Sequence, residues 1–206
     1  YISRLVHADR IPDIPIFLDS PMAIDVTEIF RLFRDCFDAE TWELITSNEP
    51  PLHFPGLRMV RSAQDSKEVN KVKGPHIVMA TSGMCTAGRI KHHLRHNIGD
   101  ARSTILFVGY QAHGTLGRQI LEGNPLVRIH GREWKVKADI SRIDGFSGHA
   151  DRSDLLRWVG NLERPPQEIF LTHGEEEAAR SFARLVAEEL KWKVSLPEYR
   201  ETVTLT

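Results

Sequence analysis

The chain has 206 residues, of which 41% are hydrophobic and 27% charged, values typical of a globular protein rather than a disordered, fibrous or membrane one. Its 27 Lys and Arg residues are balanced by 28 Asp and Glu residues, which excludes a uniformly basic chain and restricts any nucleic-acid contact to a local surface. Two cysteines are too few for a disulfide framework or a structural zinc cluster, and no apolar run approaches the roughly 20 residues that cross a bilayer. We therefore expect a cytoplasmic protein with no membrane partner.

The first 124 residues alternate between strand-like and helix-like segments. Residues 15–18 form an apolar run, after which Ser20 is a candidate N-cap and Pro21 a candidate first helical residue. Apolar side chains then recur at helical spacing. The same order returns twice, in buried strands and following helices predicted at residues 76–80, 89–98, 104–109 and from about 116. Such repeats predict an α/β fold with a mostly parallel sheet flanked by helices.

The pattern changes near Asn124, where we place a boundary between domains of residues 1–124 and 125–206. Residues 126–130 and 134–140 alternate between apolar and polar side chains, as half-buried strands do. A helix, a strand and a long amphipathic helix are predicted around residues 155–159, 168–172 and 175–190.

Asp19 closes the first predicted strand. In an open α/β sheet, ligands bind outside the carboxyl ends of the strands. Taken alone, however, an aspartate at this position is more typical of a turn or a helix cap.

Two small polar loops follow the next two predicted strands. The first, residues 81–89, contains Ser82, Gly83 and Arg89, and its backbone N–H groups open a helix in the manner of a phosphate site. An ordinary tight turn is an equal alternative. The second loop, residues 109–115, ends in Gly114 and Thr115 and could line the same groove.

The helix after the first loop carries a stripe of basic residues and histidines. This stripe could lie along a phosphate backbone or form a solvated face. A metal pair formed by His92 and His96 is a weaker alternative, because no His-Glu-x-x-His motif accompanies it.

Two histidines lie in loops that follow strands and precede helices. His149 belongs to Gly145–Asp151 and His173 to Leu171–Glu175. Each imidazole could bind zinc or act as a general acid or base. The alternative is that Asp151 and Glu175 only start helices and the histidines make local hydrogen bonds.

Together with Leu18–Ala23, these two loops resemble motifs A, B and C of the β-CASP group of metallo-β-lactamase-fold nucleases, which includes relatives of the mRNA 3′-end-processing endonuclease. The loops at residues 80–84 and 109–117 match in order, so the resemblance covers nearly the whole chain. It implies a β-CASP domain over residues 1–124, followed by the C-terminal part of a metallo-β-lactamase αββα fold.

The resemblance also implies roles for single residues. His173 would be a ligand of a two-zinc site and favours RNA over DNA, whereas His149 would donate a proton to the leaving oxygen and Asp19 would orient it. Ser82, Gly83, Arg89, Gly114 and Thr115 would bind RNA phosphates. The two zinc ions would hold the attacking hydroxide.

One departure from the family is evident, because the His-x-His-x-Asp-His zinc motif does not occur in the sequence. We therefore expect a fragment, inactive by itself, of a zinc-dependent ribonuclease acting as an endonuclease, a 5′-3′ exonuclease or both. The alternatives are a non-catalytic RNA-binding or scaffolding member and a DNA-directed nuclease. RNA is the expected partner, and a homo-oligomer stays open.

Overall fold

A computed structural model describes residues 1–46, 53–146 and 148–204. These residues form two compact units, Tyr1–Asp144 and Gly145–Thr206. The position near Asn124 lies inside the first unit, because the strands on either side of residue 130 pack on that unit's core. The family domain boundary placed at this position stays a prediction.

Strands and helices alternate through most of the first unit. Its helices are α1 (Ile2–His7), α2 (Pro21–Leu32), α3 (Ala39–Thr46), α4 (Ala63–Val69), α5 (Ile90–Asn97) and α6 (Leu116–Leu121). Its strands are β1 (Ile16–Asp19), β2 (Leu57–Met59), β3 (Ile77–Ala80), β4 (Thr104–Val108), β5 (Leu126–Ile129), β6 (Arg132–Lys135) and β7 (Asp139–Ile143). The second unit contains α7 (Arg152–Gly160), β8 (Ile169–Phe170), α8 (Glu176–Glu189) and β9 (Val194–Ser195).

Parallel pairing dominates the described strands, which confirms the predicted α/β class. Strands β2, β1 and β3 form one parallel sheet in that order, and β4 pairs in parallel with β7. Strands β5 and β6 form an antiparallel hairpin, whereas β8 and β9 are parallel. In the first sheet Asp19 lies opposite Ala80, so the polar residue that ends β1 and the loop that follows β3 leave the same edge.

The first turn of α2 forms as the sequence predicts. The hydroxyl of Ser20 accepts a hydrogen bond from the backbone N–H of Ala23, and Pro21 occupies the first helical position. Proline costs nothing there, because that N–H has no partner within a helix. This cap fixes where β1 ends and therefore where Asp19 lies.

Two predictions about strands need correction. The segment 134–140 is not one strand, because the N–H groups of Lys137 and Ala138 both bond to the carbonyl of Ile98 and draw the chain away from the hairpin between β6 and β7. Strand β4 is only half buried: Phe107 belongs to the core, but Leu106 and Val108 are 50% and 57% exposed. A continuous apolar run does not reveal how many faces of a strand are covered.

The largest core of the first unit lies between α5, α6 and the hairpin of β5 and β6. Side chains from all of these elements, together with β4, meet in it; its buried members are Cys85, Leu94, Ile98, Phe107, Leu116, Ile120, Val127 and Ile129. A smaller cluster of Phe17, Val60 and Val69 packs beneath the first sheet. In contrast, apolar side chains on one stripe of α2 are exposed, including Met22, Ile29 and Phe30.

The second unit has a small core. Among its described residues, Val159 of α7 and Val186 of α8 are the buried hydrophobic ones, whereas Trp158 is largely exposed. Asp151 caps α7 by accepting hydrogen bonds from the N–H groups of Ser153 and Asp154, and Asp154 completes a capping box. In neither unit do the described residues include a helix that is long and apolar enough to span a bilayer.

The loop between β3 and α5 depends on Gly88. Its φ of +76° lies in the left-handed region, and a Cβ atom there would come within 2.6 Å of the Thr81 carbonyl oxygen. Gly88→Ala should lower the free energy of unfolding by about 1 to 3 kcal/mol. Urea denaturation monitored by circular dichroism would measure the loss.

Gly83→Ala is the matched control, because a Cβ at Gly83 in the same loop would meet open space. Equal stabilities of the two alanine variants would contradict the close approach at Gly88.

Candidate functional site around Asp19

The carboxylate of Asp19 is fully buried at the end of β1. Arg89 donates to its Oδ1 at 2.5 Å. The hydroxyl of Ser66 and Nε2 of His93 both contact Oδ2 at 2.6 Å. Three elements that are distant in the sequence, namely β1, α4 and the start of α5, are thereby joined at one side chain.

These contacts keep the carboxylate charged. Burial disfavours the ionised form, but the hydrogen bonds from Ser66, His93 and Arg89 outweigh this effect, so that the pKa of Asp19 is lowered. Asp19 is therefore an acceptor of hydrogen bonds at neutral pH and not a proton donor.

Several N–H groups of Arg89 form hydrogen bonds within the protein. Besides Asp19, its guanidinium donates to the backbone carbonyls of Val60 at 2.8 Å and Arg61 at 2.6 Å. The predicted role of Arg89 as a phosphate ligand stays a prediction. In the structure its side chain secures the segment that leaves β2 and balances the Asp19 charge.

The two predicted phosphate loops meet at Met84. The carbonyl of Met84 accepts a hydrogen bond from Gly117 N–H at 3.1 Å, and its sulfur lies 3.2 Å from the backbone nitrogen of Ala112. The loop of residues 81–89 is thereby attached to the loop of residues 109–115 and to the first turn of α6. The two loops are therefore in contact, but β3 and β4 belong to separate described sheets, and the groove that the loops were expected to line stays a prediction.

The predicted ligands within these loops differ in their surroundings. Gly83 and Gly114 are exposed, and Ser82 is half-buried. The Thr115 hydroxyl caps α6 and donates to the carbonyl of Ala112 at 2.6 Å, so it already has a structural role. Burial raises the pKa of the neighbouring Cys85 thiol to about 11, which excludes a thiolate at neutral pH.

In the second unit, His149 lies on a wide pocket of about 850 Å³, which is also lined by Leu155, Arg157 and Trp158. His173 is exposed in the loop before α8 and has a φ of +68°. Asp151 caps the start of α7, as predicted by the alternative in which this aspartate only starts a helix. The catalytic and metal-binding roles of the two histidines stay predictions.

The residues that the structure describes do not form a metal centre by themselves. Within the described ranges, no group of three His, Cys, Asp or Glu side chains is close enough to hold an ion. A structural or catalytic zinc site needs at least three protein ligands. The described part of the chain therefore does not fit a zinc ion.

The sequence interpretation missed Ser66 and Asn70 and did not connect His93 with Asp19. Ser66 and His93 are separated from Asp19 by 47 and 74 positions, so local patterns do not link them. One signal was available, because His93 follows Arg89 by four residues and the two side chains therefore share a face at the start of α5.

Asp19→Asn should be strongly destabilising. It removes the counter-ion of Arg89, and loss of one partner of a buried ion pair costs about 3 kcal/mol or more. Because the fold lowers the pKa of Asp19, its stabilisation is complete above the unfolded value of about 3.9 and disappears as the pH falls through the folded value. Guanidinium denaturation from about pH 7 to pH 2 should show this acid-dependent part in the unmodified chain and not in the variant.

Asp25→Asn provides the control, because Asp25 forms an exposed ion pair with Arg61 and its loss should cost less than about 1 kcal/mol. Similar costs for both aspartates would contradict a buried anchor at Asp19.

Comparison with known proteins connects this geometry to a family. The Beta-Casp domain model matches residues 1–120, and the model of a Zn-dependent metallo-hydrolase RNA specificity domain matches residues 133–197. Ribonuclease TTHA0252 of Thermus thermophilus is 39% identical over 197 residues, which cover 96% of this chain and 44% of that protein.

Archaeal proteins are also similar. The transcription termination factor FttA of Methanosarcina mazei is 30% identical over 210 residues, covering 99% of this chain and 33% of that protein. The FttA protein of Methanocaldococcus jannaschii is 32% identical over 189 residues, covering 89% and 30% respectively. The chain thus spans less than half the length of these curated relatives. From its N-terminal match and the RNA specificity match that follows, the chain belongs to the β-CASP family of zinc-dependent metallo-hydrolases.

Proposed function

We propose that this chain supplies the β-CASP and RNA-specificity parts of a zinc-dependent ribonuclease that hydrolyses RNA phosphodiesters in cytoplasmic RNA processing or decay. The observation that carries the proposal is the ordered pair of family matches over residues 1–120 and 133–197. The name of the ribonuclease relative supports RNA as the substrate class. The family supplies zinc as the metal that such hydrolysis uses.

Motif positions support the proposed roles in this reaction. Asp19 ends β1 as an ionised acceptor, and in the structure its oxygens accept from Arg89, Ser66 and His93, so its proposed orientation of His149 rests on the family motif. His149 lies on a pocket wide enough for part of a nucleotide chain, which suits a proton donor near the scissile phosphate. His173 is exposed and therefore accessible as a metal ligand.

The joined loops around Met84 are the proposed contact for RNA phosphates. Ser82 contributes a hydroxyl, and Gly83 and Gly114 leave backbone groups uncovered by side chains. Contacts of this kind fix the position of a nucleic-acid backbone and carry little information about base sequence. We therefore expect weak sequence preference in this part of the substrate site.

RNA binding by the chain tests the proposal directly. Fluorescence anisotropy should show tighter binding of a labelled single-stranded RNA than of DNA with the same sequence. Equal binding of DNA would favour the DNA-directed alternative. Absence of binding to both the RNA and the DNA would contradict the proposal.

Cleavage of the same RNA should be followed in parallel with added Zn²⁺. Because the described residues do not hold a zinc ion, we expect this chain to bind RNA without cutting it, and cleavage by the chain alone would contradict the expectation of an inactive fragment. The name of the FttA relatives suggests transcription termination as a second process in which this chain could act. An RNA-binding module without nuclease activity would also suit that process.

Ser82→Ala should weaken RNA binding by about tenfold if its hydroxyl donates to a phosphate, because a hydrogen bond to a charged group contributes about 1.5 kcal/mol or more. Anisotropy titration with the same RNA measures the change. Thr86→Ala is the matched control, because Thr86 is an exposed hydroxyl residue in the same loop that is not a predicted ligand. A loss of affinity in the Thr86 variant equal to that in the Ser82 variant would contradict a specific contact.

A further inference from the structure

The side chain of His93 is 5% exposed and lies between β1 and α4. Its Nε2 atom is 2.6 Å from Oδ2 of Asp19, and its Nδ1 atom is 3.1 Å from Oδ1 of Asn70. Both ring nitrogens therefore face oxygen atoms. An imidazole with one ring proton can donate only one of these two hydrogen bonds.

The orientation of the Asn70 amide determines what faces Nδ1. Its Nδ2 atom donates to the backbone carbonyl of Ser66 at 3.1 Å. Exchanging the amide nitrogen and oxygen would place two acceptors against each other at that carbonyl. Oδ1 therefore faces His93, and it can only accept a hydrogen bond.

The other partner of His93 is also an acceptor. Asp19 is ionised and receives hydrogen bonds from Arg89 at Oδ1 and from Ser66 at Oδ2. A bare nitrogen 2.6 Å from a carboxylate oxygen would be repelled by it, whereas an N–H at this distance forms a charge-assisted hydrogen bond.

We propose that His93 is a doubly protonated imidazolium in the folded chain and that it is the positioning residue for the Asp19 carboxylate. The hydrogen bonds close a cycle that runs from Asp19 to Ser66, Asn70, His93 and back to Asp19. The cycle fixes the orientation of the Asn70 amide and the His93 ring, because rotation of either side chain breaks two hydrogen bonds.

The surrounding charges support this state of the ring. Asp19 on β1 supplies the counter-charge. The other two members of the cycle, Ser66 of α4 and Asn70 just after this helix, are neutral. On α5, Arg89 is paired with the other carboxylate oxygen. Partial desolvation and neighbouring cations lower the pKa values of His92 and His96, which favours their neutral form around the His93 ring at pH 7.

This inference goes beyond the proposed function, because it concerns how Asp19 is held and not what the chain binds. Failure of RNA binding would leave it intact. Equally, a neutral His93 would leave the family and the proposed substrate unchanged.

Nitrogen-15 NMR of histidine-labelled protein tests the proposal on the unmodified full chain. At neutral pH, both ring nitrogens of His93 should show the chemical shifts of protonated nitrogens, whereas a neutral ring shows one bare nitrogen. The His93→Gln variant assigns the signals by their disappearance. A bare ring nitrogen at His93 at neutral pH would overturn the proposal, and this readout does not depend on the variant being stable.

The positioning role is tested by titrating the Asp19 carboxyl with carbon-13 NMR. In His93→Gln, the pKa of Asp19 should rise toward its ordinary value, because a neutral amide replaces a charged donor. His92→Gln is the matched control, since His92 is the exposed neighbouring histidine of the same helix, and it should leave the Asp19 titration unchanged.

An unchanged Asp19 titration in His93→Gln would overturn the positioning role. Asn70→Ala provides a milder variant that removes the acceptor of Nδ1 and retains the imidazole. It should lower the protonated fraction of the His93 ring at neutral pH, and a fully protonated ring in this variant would argue against the closed cycle.

Discussion

The buried carboxylate of Asp19 is the constraint on which the first unit depends. A charged group without access to water is stable only when its partners replace the lost hydration. Here the partners are Arg89, Ser66 and His93, which come from two other elements. Satisfying one charge therefore requires β1, α4 and α5 to adopt a single arrangement.

Arg89 extends this arrangement to the neighbouring strand. Its guanidinium holds the carbonyls of residues 60 and 61, while the N–H of Val60 bonds back to Leu18 in β1. The chain that leaves β2 is therefore bound at the same point as Asp19. The loop after β3 starts at this edge and returns over Thr81 only because Gly88 has no side chain. The ends of three strands are thus held by one carboxylate, one guanidinium and one glycine.

The sequence predicts the parts of this region that depend on near neighbours. Ser20 and Pro21 mark the start of α2, the apolar runs mark β1 and β3, and Asp19 is identified by its family motif. The partners of Asp19 are not predictable from such patterns, because Ser66 and His93 lie 47 and 74 residues away. Serine, asparagine and histidine on helices are usually solvated, and only the fold shows that these helix residues surround a buried charge.

Burial was also difficult to predict for apolar segments. The composition of β4 and of α2 suits a core, yet alternate residues of β4 and one stripe of α2 are exposed. Periodicity identifies the side of an element that is apolar, and it does not identify what covers that side. The same limit applies to Trp158 in the second unit, which is apolar by type and exposed in place.

At the edge of the first sheet, the residue that carries a positive charge differs from the uncharged groups proposed to contact the substrate. Arg89 is the cation that the sequence assigns to phosphate, but its charge is balanced by Asp19 and its N–H groups bond to the protein. In the proposed function, the groups left to contact phosphate at the adjoining loop are the Ser82 hydroxyl and backbone N–H groups. Neutral donors bind a phosphate without releasing many counterions, so affinity at this loop should depend less on salt than affinity at an arginine-rich groove. At this edge the Arg89 guanidinium maintains the arrangement of the strand ends through its bonds to Asp19 and to two backbone carbonyls, which separates its structural role from the proposed contacts to RNA.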